Sequence, residues 1–120
     1  MLTSKEVAIA AAKALDAKKG VGIRMIRVGD VSSIADYFLI CTGTSNTHVK
    51  TLCDEAEYAL EQIGEEMIGR EGHRGNTWEL LDFGSVVIHV FTEEARQFYD
   101  LERLWSDGEL IPLETVLTEN

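Results

Sequence analysis

The chain has 120 residues, 45% of them hydrophobic, with 11 Lys and Arg against 21 Asp and Glu and a net charge of -10. That length suits one hydrophobic core, and the acidic balance disfavours a sequence-neutral grip on nucleic-acid phosphates, which depends on clustered cations. No direct nucleic-acid binding is expected, and a basic protein is the favoured class of partner, because opposite charge speeds encounter and suppresses wrong pairings.

At the start of the chain, Thr3 or Ser4 can cap a helix whose Val7, Ala10, Ala11, Ala14 and Leu15 recur at helical spacing, with Gly20 as its stop. The same stretch, MLTSKEVAIAAAKAL, lacks the charged start and continuous apolar run of a secretory leader, and no run reaches the length of a membrane span. A cytoplasmic protein without a membrane partner is the expectation. GIRMIRV (residues 22–28) and YFLICTG (37–43) read as strands on either side of a polar turn at 29–33, the second buried on both faces.

A second helix over 45–64 carries Val49, Leu52, Cys53, Ala56, Ala59, Leu60 and Ile63 on one stripe, with Asp54, Glu55, Glu57 and Glu61 outward. A short apolar piece around Met67 and Ile68 leads to a loop over 71–76, EGHRGN. TWELLDF (77–83) and VVIHVF (86–91), joined by Gly84 and Ser85, read as an antiparallel hairpin. On its first strand Leu81 and Phe83 share one face, and Trp78, Leu80 and Asp82 the other. Either helices cover both faces, or Trp78 and Leu80 belong to an exposed contact patch.

Residues 93–105 read as one amphipathic helix with Phe98, Leu101 and Trp105 on its buried side, and the polar segment after it reads as a poorly ordered tail whose packing the sequence leaves open. Together these elements predict a single mixed-sheet α/β domain flanked by helices over residues 1–108, followed by an acidic C-terminal tail over 109–120. The strand order is not legible.

Candidate chemistry is sparse. Gly43, Thr44 and Ser45 lie between a strand and a helix, as in the phosphate-holding turn of nucleotidyltransferases, but the next strand, around residues 66–69, offers no paired carboxylates for a divalent metal. A helix cap made by Ser45 or Thr44 is the preferred reading. His48, His73 and His89 show no metal-ligand spacing, and His89 sits in an apolar strand where a satisfied structural histidine is commoner than a catalytic one. Cys41 and Cys53 are too few for a disulfide framework and are expected to be reduced and buried. No catalytic, cofactor-binding or metal-binding residue is assigned.

Three ordered motifs remain: DVSSIADYF (30–38) running into LICTG (39–43), WELLDFGSVVIHVF (78–91) and FYDLERLW (98–105). Together they resemble the ribosomal silencing factor (Iojap-like) family, over roughly residues 5–105. The resemblance implies a nucleotidyltransferase-like α/β fold without transferase activity. It also implies a factor that binds the large ribosomal subunit through ribosomal protein fourteen, obstructs joining of the small subunit and so represses translation. By the same resemblance Trp78, Leu80, Asp82, Tyr99 and Glu102 are expected at the docking surface. Phe83 stands where many members carry tyrosine, and Ser85 where many carry aspartate. Two other readings stay open: a nucleotide-binding protein using Gly43, Thr44 and Ser45, and an adaptor whose patch pairs with its own copy as a homodimer.

Overall fold

The computed structural model describes residues 2–29, 35–73, 77–113 and 117. Its elements run α1 (Ser4–Ala17), β1 (Val21–Arg27), β2 (Tyr37–Gly43), α2 (Asn46–Gln62), β3 (Gly69–His73), β4 (Trp78–Asp82), β5 (Val86–Thr92), α3 (Glu93–Tyr99), α4 (Leu101–Leu104) and β6 (Glu109–Ile111). The strands form a single six-stranded sheet in the order β3-β4-β5-β2-β1-β6. Its central pair, β2 and β5, is parallel, and the neighbouring pairs around it are antiparallel. This is the expected α/β domain with one mixed sheet flanked by helices.

Local chemistry accounts for the helix ends. Thr3 and Glu6 form a reciprocal capping box at the start of α1, and the Ser45 hydroxyl accepts from the His48 N–H at the start of α2. Both helices finish by folding the amide two residues past the cap back onto a carbonyl, Gly20 to Leu15 and Glu65 to Leu60, each at 2.9 Å. In α2 the left-handed residue of this motif is Gly64, but in α1 it is Lys19, at φ 62°. Gly20 answers a different demand: a Cβ there would sit 2.4 Å from the Cys41 sulfur.

The β2 strand is buried over all seven residues and divides the core by alternation. Its Leu39 and Cys41 join Met25, Leu81, Ile88 and Val90 beneath α1 and α2, where Ala8, Ala11, Ala12, Val49, Leu52 and Ala56 are fully buried. Its Phe38 and Ile40 face the opposite side with Ile26, Val28 and Phe91, and among the described residues only the short α3–α4 pair supplies helical cover there, through Ala95, Tyr99, Leu101 and the following Trp105. The two faces are thus covered unequally, and the thinner cover lies over β4 and β5.

Four expectations are corrected. The strand anticipated around 66–69 begins at Gly69 and takes in Glu71, Gly72 and His73 of the predicted loop, because β4 offers them a complete antiparallel register. The single helix over 93–105 is two, broken at Asp100, whose left-handed backbone (φ 49°, ψ 51°) turns the chain; aspartate tolerates that region better than most residues. Phe98 is not a core residue but 80% exposed, while Trp105 is half-buried against Phe38 with ring centroids 4.9 Å apart. Finally, the segment read as a tail contributes β6, which pairs with β1, and its Ile111, Leu113 and Leu117 reach the core beneath α1 and α2. Most of the predicted 29–33 turn, and residues 74–76 of the predicted loop, lie outside the described residues.

Candidate protein-docking face

Antiparallel register sets Trp78 opposite Phe91, Leu80 opposite His89 and Asp82 opposite Val87, all on the face that α1 and α2 leave alone. The Trp78 ring stacks on Phe91 at 5.1 Å and meets Tyr99 of α3 at 4.4 Å. Its indole N–H donates to Nδ1 of His89 at 3.3 Å. Trp78 is therefore neither wholly core nor wholly free: it is half-buried, gripped from the side by Tyr99 and from below by Phe91.

His89 is the buried partner in this arrangement. With Nδ1 accepting from Trp78, the ring carries its proton on Nε2, which is buried without a hydrogen-bond partner. Burial pushes its pKa down to about 4, so the ring is neutral at neutral pH. It rests edge-on against Phe38 at 5.2 Å and fills the sheet face as an aromatic. The expectation of a satisfied structural histidine holds at Nδ1 and fails at Nε2.

The remaining candidates divide into those that face outward and those occupied within the chain. Leu80 and Tyr99 are half-buried and continue the apolar strip beside Trp78. Asp82 shapes the hairpin: its Oδ1 accepts from the Gly84 N–H at 2.8 Å, and Gly84 takes φ 83°, which a side chain would resist. Glu102 is held by both oxygens, accepting from Nε and Nη2 of Arg96 at 2.9 and 3.2 Å, with Arg24 Nε at 2.9 Å as well. The Arg96 fork holds the Glu102 carboxyl below the usual carboxylate range. Since Arg96 Nη1 also donates to Thr42 at 2.8 Å, this pair ties α3 and α4 to the sheet. Trp78, Leu80 and Tyr99 are brought together; Asp82 and Glu102 flank them and shape the face.

The Gly43-Thr44-Ser45 turn borders a cleft of about 400 Å³ that also takes in Thr92, Glu93 and Glu94. His48 reaches back into the turn, its Nδ1 accepting from the Thr44 N–H at 2.8 Å and its Nε2 donating to the Lys18 carbonyl at 2.8 Å. An amide that could cradle a phosphate is thereby engaged, and two glutamates on the rim oppose an anion. A Cβ at Gly43 would meet the Val49 backbone at 2.8 Å, so close helix packing explains this glycine. Among the described residues no group of three or more His, Cys, Asp or Glu is placed to hold a metal. Cys41 and Cys53 are free thiols; burial pushes Cys41 up to about 12 and Cys53 higher still, which leaves both unreactive. No helix among the described residues is long and apolar enough to cross a membrane.

Sequence reading missed two cations with structural work. Arg96 is one, and Arg70 is the other, pairing with Asp54, Glu57 and Glu79 at 2.9, 2.9 and 3.0 Å. A signal existed for the second: Glu79 alternates with Leu80, so it shares the Leu81 face and is forced into the α2 interface, where a carboxylate demands a cation.

The model of the family described as "Ribosomal silencing factor during starvation" matches residues 1–120. The ribosomal silencing factor RsfS of Halalkalibacterium halodurans is 35% identical over 117 residues, covering 98% of this chain and 100% of that protein. A crystal structure of a Chromobacterium violaceum protein superposes with a TM-score of 0.86 at 32% identity, covering 92% of this chain and 91% of that one. A more distant relative, the Mus musculus "Mitochondrial assembly of ribosomal large subunit protein 1", is 32% identical over 87 residues, which is 70% of this chain and 38% of the relative.

Proposed function

Because the chain belongs to the ribosomal silencing factor (RsfS) family, we propose that it binds the large ribosomal subunit through ribosomal protein fourteen, sterically blocks association with the small subunit and thereby represses translation. The observation that carries this reading is the apolar strip of Trp78, Leu80 and Tyr99, two of them aromatic, on the thinly covered sheet face. A large aromatic held rigid and half-exposed loses little freedom on docking, which is why such residues dominate interface energies. The large-subunit assignment draws further support from the name of the murine relative, which places that protein in large-subunit assembly.

The mechanism needs no chemical step and no cofactor. A domain with a Cα radius of gyration of 12.9 Å, seated at the inter-subunit face, excludes the small subunit by occupying its contact volume. Potency then follows from affinity and free concentration, with each tenfold in Kd worth about 1.4 kcal/mol. The net charge of -10 favours a basic ribosomal protein over bare RNA as the group touched. The place of action is the cytoplasm.

The nucleotide-binding alternative is opposed by His48, which engages the Thr44 amide, and by Glu93 and Glu94 at the cleft rim. The test is subunit joining followed by light scattering. Protein added to large subunits before small subunits should suppress the rise in scattering in a dose-dependent way. Full joining at saturating protein would refute the steric reading.

A further inference from the structure

The α3 helix uses Ala95 and Tyr99 to pack on the sheet, yet it turns Phe98 outward at 80% exposure. The Phe98 ring stands at 90° to Tyr99 with centroids 5.1 Å apart, and Tyr99 meets Trp78 at 4.4 Å. A line of three rings therefore runs from the sheet to the outer rim of the helix. Between Phe98 and the start of β4 lies a groove of about 540 Å³, with Glu94, Phe98 and Tyr99 on its helical wall and Thr77 on the other. Glu94 and Phe98 are four residues apart on one helix and so are neighbours on one face.

Among the described residues the charge around the groove is one-sided. Among its described lining residues Glu94 is the only charged group, and Glu93 and Asp100 are exposed nearby. The cation of α3, Arg96, is turned inward, its side chain 12% exposed and committed to Glu102 and Thr42. An exposed ring with a carboxylate one helical turn away matches one kind of side chain: a long cationic one, whose apolar stem or guanidinium plane lies on the ring while its charge reaches the acid.

We propose that this groove seats an exposed arginine or lysine of the large-subunit protein on which the chain docks, lying over Phe98 with its charge paired to Glu94. The proposal rests on the large-subunit reading above and extends its surface from the Trp78 strip to the outer side of α3. A second copy of the chain fits poorly, since pairing would bring two acidic rims together on chains that each carry a net charge of -10. Nucleic acid fails for the same reason.

The test measures pelleting of the full-length chain with isolated large subunits across a salt series, for wild type, Phe98→Ala and Glu94→Gln. Because Phe98 is 80% exposed, Phe98→Ala should melt within about 2 °C of wild type. The expected results are binding about tenfold weaker for Phe98→Ala and a shallower salt dependence for Glu94→Gln. Wild-type binding with both variants indistinguishable from it would overturn the groove proposal and leave the docking reading standing. Absence of wild-type binding would sink the docking reading itself. A fall in mass from dimer to monomer for Phe98→Ala, with pelleting unchanged, would assign the groove to a second copy and also overturn the proposal.

Discussion

Trp78→Ala removes the ring that stacks on Phe91 at 5.1 Å and meets Tyr99 at a tilt at 4.4 Å, together with the indole donor to His89 at 3.3 Å. Truncating a fully buried tryptophan costs about 3–5 kcal/mol. Trp78 is buried over roughly two-thirds of its surface or more, which scales the packing loss to about 2–4 kcal/mol. The lost hydrogen bond is long, and truncation at this partly exposed position lets water reach His89 Nδ1, so it adds about 0.5–1 kcal/mol. The sum, about 2.5–5 kcal/mol, meets an unfolding entropy of about 250 cal/mol/K for a chain of this length, so Tm should fall by about 10–20 °C with unfolding still cooperative. Far-UV circular dichroism melts at pH 7 provide the measurement, and Trp105 fluorescence reports the same transition from the other tryptophan. Trp78→Phe, which keeps most of the ring contact, should recover more than half of the loss. A Trp78→Ala chain with no cooperative transition would make Trp78 a keystone of the core and remove it from the docking argument. An unchanged Tm would show that the ring cluster does not exist as described.

Arg70→Ala leaves Glu79, whose side chain is only 6% exposed, without its cation, and should destabilise the fold by about 3 kcal/mol, read as a lower urea midpoint at unchanged m-value. His89 has a folded pKa depressed to about 4, so the unfolded chain takes up its proton first as pH falls below about 6.5. The stability it contributes is complete above that value and is lost progressively between pH 6.5 and 4. His89→Gln, which keeps an acceptor for Trp78, should flatten that part of the Tm–pH curve, and an equally steep curve in the variant would count against the assignment. Asp100→Gly should be neutral or raise stability by up to about 1 kcal/mol, because glycine adopts φ 49° without strain, whereas Asp100→Val should lower it by about 1–2 kcal/mol; calorimetry decides between them.

The elements that rest on local pattern were legible in the sequence. Of the paired cap candidates, Thr3 rather than Ser4 caps α1 and Ser45 rather than Thr44 caps α2, and the alternation of Leu81 with Leu80 sorts the two sheet faces correctly. What escaped depends on contacts distant in sequence. The β3 strand is polar, GREGH, and gains its identity from pairing with β4 rather than from hydrophobic alternation. The break at Asp100 replaces the continuous helix that the spacing of Phe98, Leu101 and Trp105 predicts; the turn instead releases Phe98 to solvent and keeps Tyr99 on Trp78. Within the docking face, the strand positions follow from period-two alternation, but nothing in the sequence says that His89 accepts from Trp78 or that Arg96 holds Glu102. The same limit hid His48 as the group that fills the nucleotidyltransferase-like turn, since its second partner, Lys18, lies thirty positions away.

The most direct test of the central claim is co-sedimentation of the purified chain with isolated large subunits, isolated small subunits and joined ribosomes, with Trp78→Ala held below its own Tm as the matched variant. The account predicts pelleting with free large subunits alone, and its loss in the folded variant. Pelleting with neither subunit at ample protein concentration, or equal pelleting with joined ribosomes, would contradict it.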